Sequence, residues 1–208
     1  DELFYMDAVA SLYGRNSLTE IIEKTVRKVF IPLTVGGGLR TVDDIRTVLL
    51  SGADKVSLNT AIINRPEFVR EASHRFGSST IVASIDAIKK TDGTYEAYTD
   101  YGRETTGVNV LDWAAKAAEL GAGEIMITSI DREGTGKGFD LELTQMVSEL
   151  VPIPVIACGG AGNVDQVYDV VTRGKADAVS VASILHYNCF DKFSYNSDEF
   201  SGEGNIEF

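Results

Sequence analysis

Positive charge is scarce in this sequence of 208 residues. Its 19 Lys and Arg residues are outnumbered by 31 Asp and Glu residues, which gives a formal net charge of −12 at pH 7. Nucleic acids and acidic membrane surfaces both require a basic face on the proteins that bind them. The composition therefore argues against both classes of partner.

Cysteine and long apolar runs are also scarce. The two cysteines, Cys158 and Cys189, are far apart in the sequence. This spacing excludes a disulfide framework and a cysteine-based zinc motif, and it suits a reducing compartment. No apolar run reaches the length of about 18 residues that a membrane-spanning helix needs. We therefore expect a soluble cytoplasmic protein without a membrane partner or a bound metal.

The sequence instead contains a regular alternation of apolar β-branched runs and amphipathic stretches, and 44% of its residues are hydrophobic. The predicted strands are Leu3–Met6, Ile31–Val35, Lys55–Leu58, Ile81–Ile85, Glu124–Thr128, Val155–Ala157 and Ala178–Ala182. The predicted helices are Leu18–Val29, Val42–Ser51, Pro66–Phe76, Val110–Leu120, Leu141–Val151 and Val164–Arg173. Continuously apolar strands are typical of a parallel sheet that is flanked by helices. The pattern predicts an α/β fold, either a barrel or an open doubly wound sheet.

An internal repeat favours the barrel. The segment Gly37–Thr60 aligns with Gly159–Ser183 when one extra residue, Lys175, is allowed in the second copy. The same offset aligns Glu2 with Glu124 in a separate stretch. Two stretches that share one offset indicate two similar half-units. Two half-units of four strands each predict a (β/α)8 TIM barrel.

Only seven strands are found, and the repeat indicates which one is missing. The strand at 81–85 opens the second half, and its equivalent in the first half would lie before Asp1. We therefore expect a barrel domain over residues 1–187 that lacks its first strand and helix. An irregular acidic tail is predicted over residues 188–208.

Two glycine-rich loops lie at repeat-related positions and predict phosphate binding. Gly36–Gly38 and Gly159–Gly162 each follow a strand and lead into a helix, at Thr41 and Asn163. Barrel sites are built at the carboxyl ends of the strands, and glycine loops with free helix N–H groups favour anions. The residues expected to form two phosphate cradles are Gly37, Gly38, Asn59 and Thr60 in one half, and Gly159, Gly160 and Ser183 in the other. The alternative is that these glycines only form tight turns.

Asp86 is the candidate catalytic residue. It ends the apolar strand IVASIDA, where burial would raise its pKa and suit it to proton transfer. The alternative is a helix cap or a buried structural pair. Thr128, at the end of another predicted strand, is a candidate substrate contact. The segment Lys89–Arg103 contains an Asp-Gly turn and predicts a hairpin after this strand, which is a candidate lid.

A set of charged residues is predicted at the opposite end of the strands. Glu2, Lys55 and Glu124 stand at the starts of three strands. Alternate strands contribute side chains to the same interior layer of a barrel, where charges are costly unless they are paired. The spacing therefore predicts a charged ring, or alternatively side chains that point outward or pair locally.

Several ordered motifs resemble the cyclase subunit of imidazole glycerol phosphate synthase, the HisF family. They are TVGGGLRTVDDI, GADKVSLNTA, FGSSTIVASIDA, GAGEIMITSIDREGTGKGFD and CGGAGNVDQV, and the resemblance covers about residues 1–187. It implies a barrel that takes ammonia from a partner glutaminase and closes an imidazole ring. The implied substrate is a phosphoribulosyl-formimino aminoimidazole carboxamide ribonucleotide, which is phosphorylated at both ends. No cofactor is implied.

The resemblance also assigns roles to residues. It implies that Asp86 is one of two acid/base aspartates, the other lying on the absent first strand, and that Glu2, Lys55 and Glu124 form an ammonia gate. The implied phosphate-binding residues are Gly38, Asn59 and Thr60 at one end, and Gly134, Gly160, Ala182 and Ser183 at the other.

Three departures from the family pattern leave alternatives open. Val9 stands in place of a common threonine, Cys158 in place of a serine, and Ile88 displaces the usual lysine by one position. One alternative is a paralogue that delivers ammonia for the amidation of a surface sugar. The others are the sister aldose–ketose isomerase and a non-catalytic scaffold that docks a glutaminase.

Overall fold

The computed structural model describes residues 1–7 and 19–186, whose strands form one curled sheet with helices on its outer face. The strands are β1 (Leu3–Met6), β2 (Leu33–Gly36), β3 (Lys55–Leu58), β4 (Ile81–Lys89), β5 (Tyr95–Thr99), β6 (Glu104–Asn109), β7 (Glu124–Ser129), β8 (Val155–Cys158) and β9 (Ala178–Ser180). The helices are α1 (Thr19–Val26), α2 (Val42–Leu50), α3 (Thr60–Asn64), α4 (Glu67–Phe76), α5 (Val110–Glu119), α6 (Leu141–Leu150) and α7 (Val164–Thr172), with a 3₁₀ turn at Ser78–Thr80.

Seven of the strands are parallel, in the order β1-β2-β3-β4-β7-β8-β9. Strand β5 pairs with β4 and β6 pairs with β5, both antiparallel, so these two strands extend the sheet beyond the rim of the parallel part. The alternation of parallel strands and helices confirms the predicted fold of the (β/α)8-barrel type. The predicted tail over 188–208 and the position of Val9 lie outside the described residues.

The two faces of the sheet differ in chemistry. On the outer face, Val35 and Ile85 pack with Phe68 of α4 in the main apolar core, and all three are fully buried. The alternate positions point to the inner face, because successive side chains of a strand point to opposite sides. The inner positions of β2, β3 and β4 carry small polar residues that are also buried, namely Thr34, Ser57 and Ser84. The inner face is therefore mixed, because the apolar residues Val82 and Met126 are in register with Ser57 and Ser84 and are also buried.

The two halves of the fold share a hydrogen-bond arrangement at the start of a strand. The N–H of Leu33 donates to the Asp54 carboxylate at 2.8 Å, and the Asp54 N–H donates to the Leu33 carbonyl at 2.9 Å. In the second half, Val155 and Asp177 form the same two bonds at 2.8 and 2.9 Å. The alignment of Asp54 with Asp177 in the repeat thus has a structural cause, since each carboxylate satisfies the first amide of the preceding strand.

The structure adds two elements that the sequence did not predict. Strand β4 continues to Lys89 because its last residues pair with β5, and β6 adds a third strand to the predicted hairpin. The short helix α3 begins at Thr60, and its five residues are too few to show a helical period. Within residues 1–7 and 19–186, no helix combines the length and apolar character needed to cross a membrane.

We predict that Asp54→Ala lowers the free energy of unfolding by about 1–3 kcal/mol, because the Leu33 amide loses a charged acceptor. The measurement is urea denaturation followed by circular dichroism. Asp54→Asn is the matched control, because it keeps an acceptor oxygen, and we expect it to lose less. Equal losses in both variants would show that the hydrogen bond to Leu33 does not stabilise the fold.

Candidate active site at the carboxyl ends of the strands

Asp86 lies on the inner face of β4 and is aligned with polar residues across three further strands. The strand register places Asp86 opposite Thr128 of β7, Thr128 opposite Cys158 of β8, and Cys158 opposite Ser180 of β9. Asp86 is 8% exposed and Thr128 is 9% exposed. Burial is the main cause that raises the pKa of the Cys158 thiol, and the nearby Thr128 and Ser180 side chains oppose this shift. This row forms a polar floor near the carboxyl ends of the strands, buried at Asp86 and Thr128 and half-buried at Cys158 and Ser180.

The surroundings of Asp86 raise its pKa toward neutrality. Burial is the main cause that raises the pKa of Asp86 to about 6, and the negative charge of Glu133 adds to it. The Asn59 side chain opposes the shift, because its Nδ2 donates to Asp86 Oδ2 at 3.0 Å. A carboxyl group with a pKa near 6 can accept and return a proton under physiological conditions. The predicted burial of Asp86 is therefore confirmed.

The first glycine loop exposes backbone next to the end of β1. Gly37 and Gly38 have φ angles of 102° and 69°. A Cβ at Gly37 would lie 2.3 Å from the carbonyl oxygen of Asp7, so no other residue fits there. Asn59 and Thr60 follow β3, the strand that pairs with β2. The structure thus brings together the four residues expected in this half, which we call the first cradle.

The second glycine loop repeats this geometry. Gly159 and Gly160 have φ angles of 92° and 100°. Added Cβ atoms would lie 2.7 Å from the carbonyl oxygen of Ser129 at Gly159, and 2.3 Å from that of Gly138 at Gly160. The predicted binding residues Ala182 and Ser183 stand at the start of the helical residues 183–186, after the neighbouring strand β9. We call Gly159, Gly160, Ala182 and Ser183 the second cradle.

Gly134 lies in the loop that runs beside the second cradle. It has a φ of 70°, and a Cβ there would meet no atom within 4 Å. The loop is held close, since Gly138 N–H donates to the Gly160 carbonyl at 2.7 Å. The open position of Gly134 leaves room for a ligand, and its backbone conformation is one that glycine adopts without strain.

Capping side chains bind some of the amides at the two helix N-termini where free donors for an anion were expected. At α2, the N–H groups of Arg40 and Thr41 donate to Asp44 Oδ2 at 3.0 and 2.9 Å. At α7, those of Gly162 and Asn163 donate to Gln166 Oε1 at 2.7 and 3.2 Å. Both are capping boxes, which compete with an external anion for the same donors. These bonds leave fewer amides for an anion at the two helices, and anion binding at the glycine loops stays a prediction.

The three charged residues at the opposite end of the sheet converge. Lys55 Nζ lies 2.7 Å from Glu2 Oε1 and 2.6 Å from Glu124 Oε1. Burial acts to lower the pKa of Lys55, but the hydrogen bonds and charges of Glu124 and Glu2 outweigh it and raise the pKa above its usual value. Lys55 is therefore a permanent cation between two carboxylates. We call these three residues the charged ring.

Between the charged ring and Asp86, the inner face carries serines beside the apolar residues Val82 and Met126. Val82 is in register with Glu124, and Asp86 is four residues farther along β4. At about 3.3 Å per residue this separates the two ends by about 13 Å. Ser57 and Ser84 lie between them, and the Ser57 hydroxyl oxygen is buried without a hydrogen-bond partner among the described residues.

Two residues near the site were not singled out from the sequence. Tyr101, between β5 and β6, donates from its hydroxyl to the Asp7 carbonyl at 2.5 Å. Glu133 projects over the second glycine loop, where its Oε2 would lie 3.1 Å from a Cβ at Gly159. The candidate lid in the predicted hairpin was the only sequence signal for Tyr101. In the part of the chain that the structure describes, no group of three or more His, Cys, Asp or Glu side chains could hold a metal ion.

We predict that the free energy of unfolding of Asp86→Asn, measured relative to that of the unchanged protein, increases as the pH rises from about 4 to about 6. Between about pH 4 and pH 6 the folded protein keeps a proton on Asp86 that the unfolded chain has released, so the free energy of unfolding falls through this window. The asparagine variant escapes this loss, which is on the order of 2–3 kcal/mol for a shift of about two pKa units. Urea denaturation of both proteins from pH 4 to pH 7 measures it. A stability difference that is constant over this range would contradict the raised pKa.

Comparison with known proteins agrees with the motif resemblance. A family model described as histidine biosynthesis protein matches residues 1–191. A curated relative, imidazole glycerol phosphate synthase subunit HisF of Alkaliphilus metalliredigens (strain QYMF), is 48% identical over 188 residues, which are 90% of this chain and 75% of the relative. Both findings confirm the resemblance to the HisF family that the motifs indicated. The chain belongs to the histidine biosynthesis protein family.

Proposed function

We propose that this protein is an ammonia-dependent cyclase of histidine biosynthesis. It converts the phosphoribulosyl-formimino aminoimidazole carboxamide ribonucleotide and ammonia to imidazole glycerol phosphate and the aminoimidazole carboxamide ribonucleotide. Membership of the family and the 48% identity to a curated HisF subunit support this activity. The two cradles, which lie at equivalent positions of the two half-units, suit a substrate with a phosphate at each end.

The observation that carries the proposal is the position of Asp86. It is a buried acid on the inner face of β4, in a site where the two cradles are supplied by strands on either side of it. Its pKa of about 6 allows it to act first as a general base toward the ammonia adduct and then as a general acid toward a leaving oxygen. The cradles fix both ends of the substrate, so the reacting atoms are held beside this one carboxyl group.

The charged ring provides the entrance for ammonia in this proposal. It closes the inner face at the amino ends of the strands, about 13 Å from Asp86 by strand geometry. Ammonia is small, neutral and able to form hydrogen bonds, so the Ser57 and Ser84 hydroxyls on the inner face suit its transfer from the ring to Asp86. The relative is named as a subunit of its synthase. We infer that the partner here is a glutaminase, docked at the ring.

The alternatives account for fewer of these features. A sister isomerase has no ammonia to admit and no use for the ring of Glu2, Lys55 and Glu124. A docking scaffold has no use for a buried acid with a raised pKa at Asp86. A paralogue that serves a sugar amidotransferase would keep the ring and the fold. Turnover of the bis-phosphorylated nucleotide distinguishes the two functions, because only the cyclase would consume it.

We predict that Asp86→Asn lowers cyclase turnover by about 10²- to 10⁴-fold, the usual contribution of a positioned acid or base. The assay follows consumption of the nucleotide by the complete gene product at high ammonium concentration, without any glutaminase. Asp43→Asn, an exposed acid in the first turn of α2, is the control and should keep full activity. Full activity in Asp86→Asn would exclude the acid/base role, and no turnover by the unchanged protein would favour the sugar paralogue.

We predict that Lys55→Met lowers glutamine-dependent turnover more than ammonium-dependent turnover when a glutaminase partner is present. Loss of the cation leaves Glu2 and Glu124 facing each other without compensation, which also costs about 1–2 kcal/mol of stability at this partly exposed position. Lys24→Met removes an exposed ion pair with Glu20 and is the control. An equal fall of both activities would argue against a gate at Lys55.

A further inference from the structure

The hairpin tip, defined as residues 100–102 between β5 and β6, has an unusual backbone. Asp100, Tyr101 and Gly102 have φ angles of 49°, 60° and 75°, so three successive residues are left-handed. This conformation is strained for residues other than glycine, and it persists only where surrounding contacts stabilise it. The position of Gly102 is explained by packing, because a Cβ there would lie 3.0 Å from the Ile130 side chain. Asp100 and Tyr101 require another explanation.

Both residues contact the first cradle. The Tyr101 hydroxyl donates to the carbonyl of Asp7 at 2.5 Å, and this is the carbonyl that packs against Gly37. The N–H of Asp100 donates to Thr60 Oγ1 at 3.4 Å, a long hydrogen bond. The hairpin tip therefore contacts the cradle on two sides, at the end of β1 and at the start of α3.

The equivalent carbonyl in the second half is bound by backbone groups of a nearby loop. Ser129 is the repeat equivalent of Asp7, and its carbonyl packs against Gly159. That carbonyl accepts hydrogen bonds from the N–H groups of Arg132 and Glu133, at 3.1 and 3.0 Å, within the loop that follows β7. In the first half a side chain from a distant hairpin binds the equivalent carbonyl. Among the described residues, the equivalent carbonyls thus have different partners, which are loop amides at Ser129 and the Tyr101 hydroxyl at Asp7.

The charges around Tyr101 keep its hydroxyl protonated. Partial burial raises its pKa, and the negative charges of Asp7, Asp86 and Asp100 raise it further, while Arg103 opposes them. A neutral phenol donates one hydrogen bond, which goes to Asp7, and retains acceptor capacity on its oxygen. The contact with the end of β1 is therefore maintained throughout the pH range in which Asp86 titrates.

We propose that Tyr101 is a positioning residue whose hydroxyl, bound to the Asp7 carbonyl, holds the hairpin tip over the first cradle and so strengthens phosphate binding there. This inference rests on the proposed phosphate site at Gly37 and Gly38. In this proposal Tyr101 contributes to the affinity for one phosphate end of the substrate. Proton transfer is carried out by Asp86. We also expect an effect confined to one of two equivalent cradles.

The test is a titration of the ¹⁵N-labelled complete gene product with inorganic phosphate, followed by NMR at the glycine amides of both cradles. Tyr101→Phe removes only the hydroxyl, and loss of one hydrogen bond should weaken binding at Gly37 and Gly38 about three- to tenfold. The amides of Gly159 and Gly160 should keep their affinity and serve as an internal control for folding. Tyr168→Phe makes the same change on the exposed face of α7 and should alter neither cradle.

Three outcomes would overturn the inference: unchanged binding at Gly37 and Gly38 in Tyr101→Phe, equal weakening at both cradles, or no response of the first cradle to phosphate in the unchanged protein. Kinetics give a second readout, because a positioning role raises KM for the nucleotide about three- to tenfold while kcat falls less than about twofold. A fall in kcat at constant KM would also overturn it. Failure of the unchanged protein to turn over the nucleotide would defeat the proposed function, but the phosphate titration would still decide the role of Tyr101.

Discussion

The parallel pairing of β4 with β7 is the interaction on which both ends of the candidate site depend. It lies within the second half-unit, and its register sets Val82 opposite Glu124 at one end and Asp86 opposite Thr128 at the other. Because side chains alternate between faces, a shift of one residue would move Asp86 from the polar inner face to the apolar helix layer. The same shift would separate Glu124 from Lys55. The acid and the charged ring are therefore linked through one pair of strands.

The protein binds anions, in the function proposed here, despite a net charge of −12. Two features reduce the repulsion between the protein and an anionic substrate. The cradles offer backbone amides, which bring donors to an anion without adding a neutralising side chain that would also attract the nearby carboxylates. Asp86 carries a proton for part of the time near neutral pH, so the carboxyl group closest to the chemistry repels a phosphorylated substrate less than an ordinary aspartate would. Burial of Asp86 thus serves the binding of the substrate as well as proton transfer.

Much of this could be predicted from the sequence, because it depends on local pattern and on the repeat. The seven parallel strands follow from apolar periodicity, and the matching positions of Gly37 and Gly159 follow from the alignment of the halves. The resemblance to the HisF family supplied the substrate and the partner. Other features could not be predicted, because they depend on contacts between distant segments. The bond from Asn59 to Asp86 and the left-handed backbone of Tyr101 are of this kind.

The cradles have a consequence for mutational scanning of this protein. Gly37 and Gly160 each face a carbonyl oxygen that a Cβ would approach to 2.3 Å, so every substitution there distorts the backbone before any ligand is considered. Substitutions at these glycines would therefore be damaging whether the loop binds a phosphate or only forms a tight turn. Scans of growth or abundance at these positions therefore report on shape alone. Information about chemistry comes from side chains whose removal leaves the backbone in place, as at Asp86 and Tyr101.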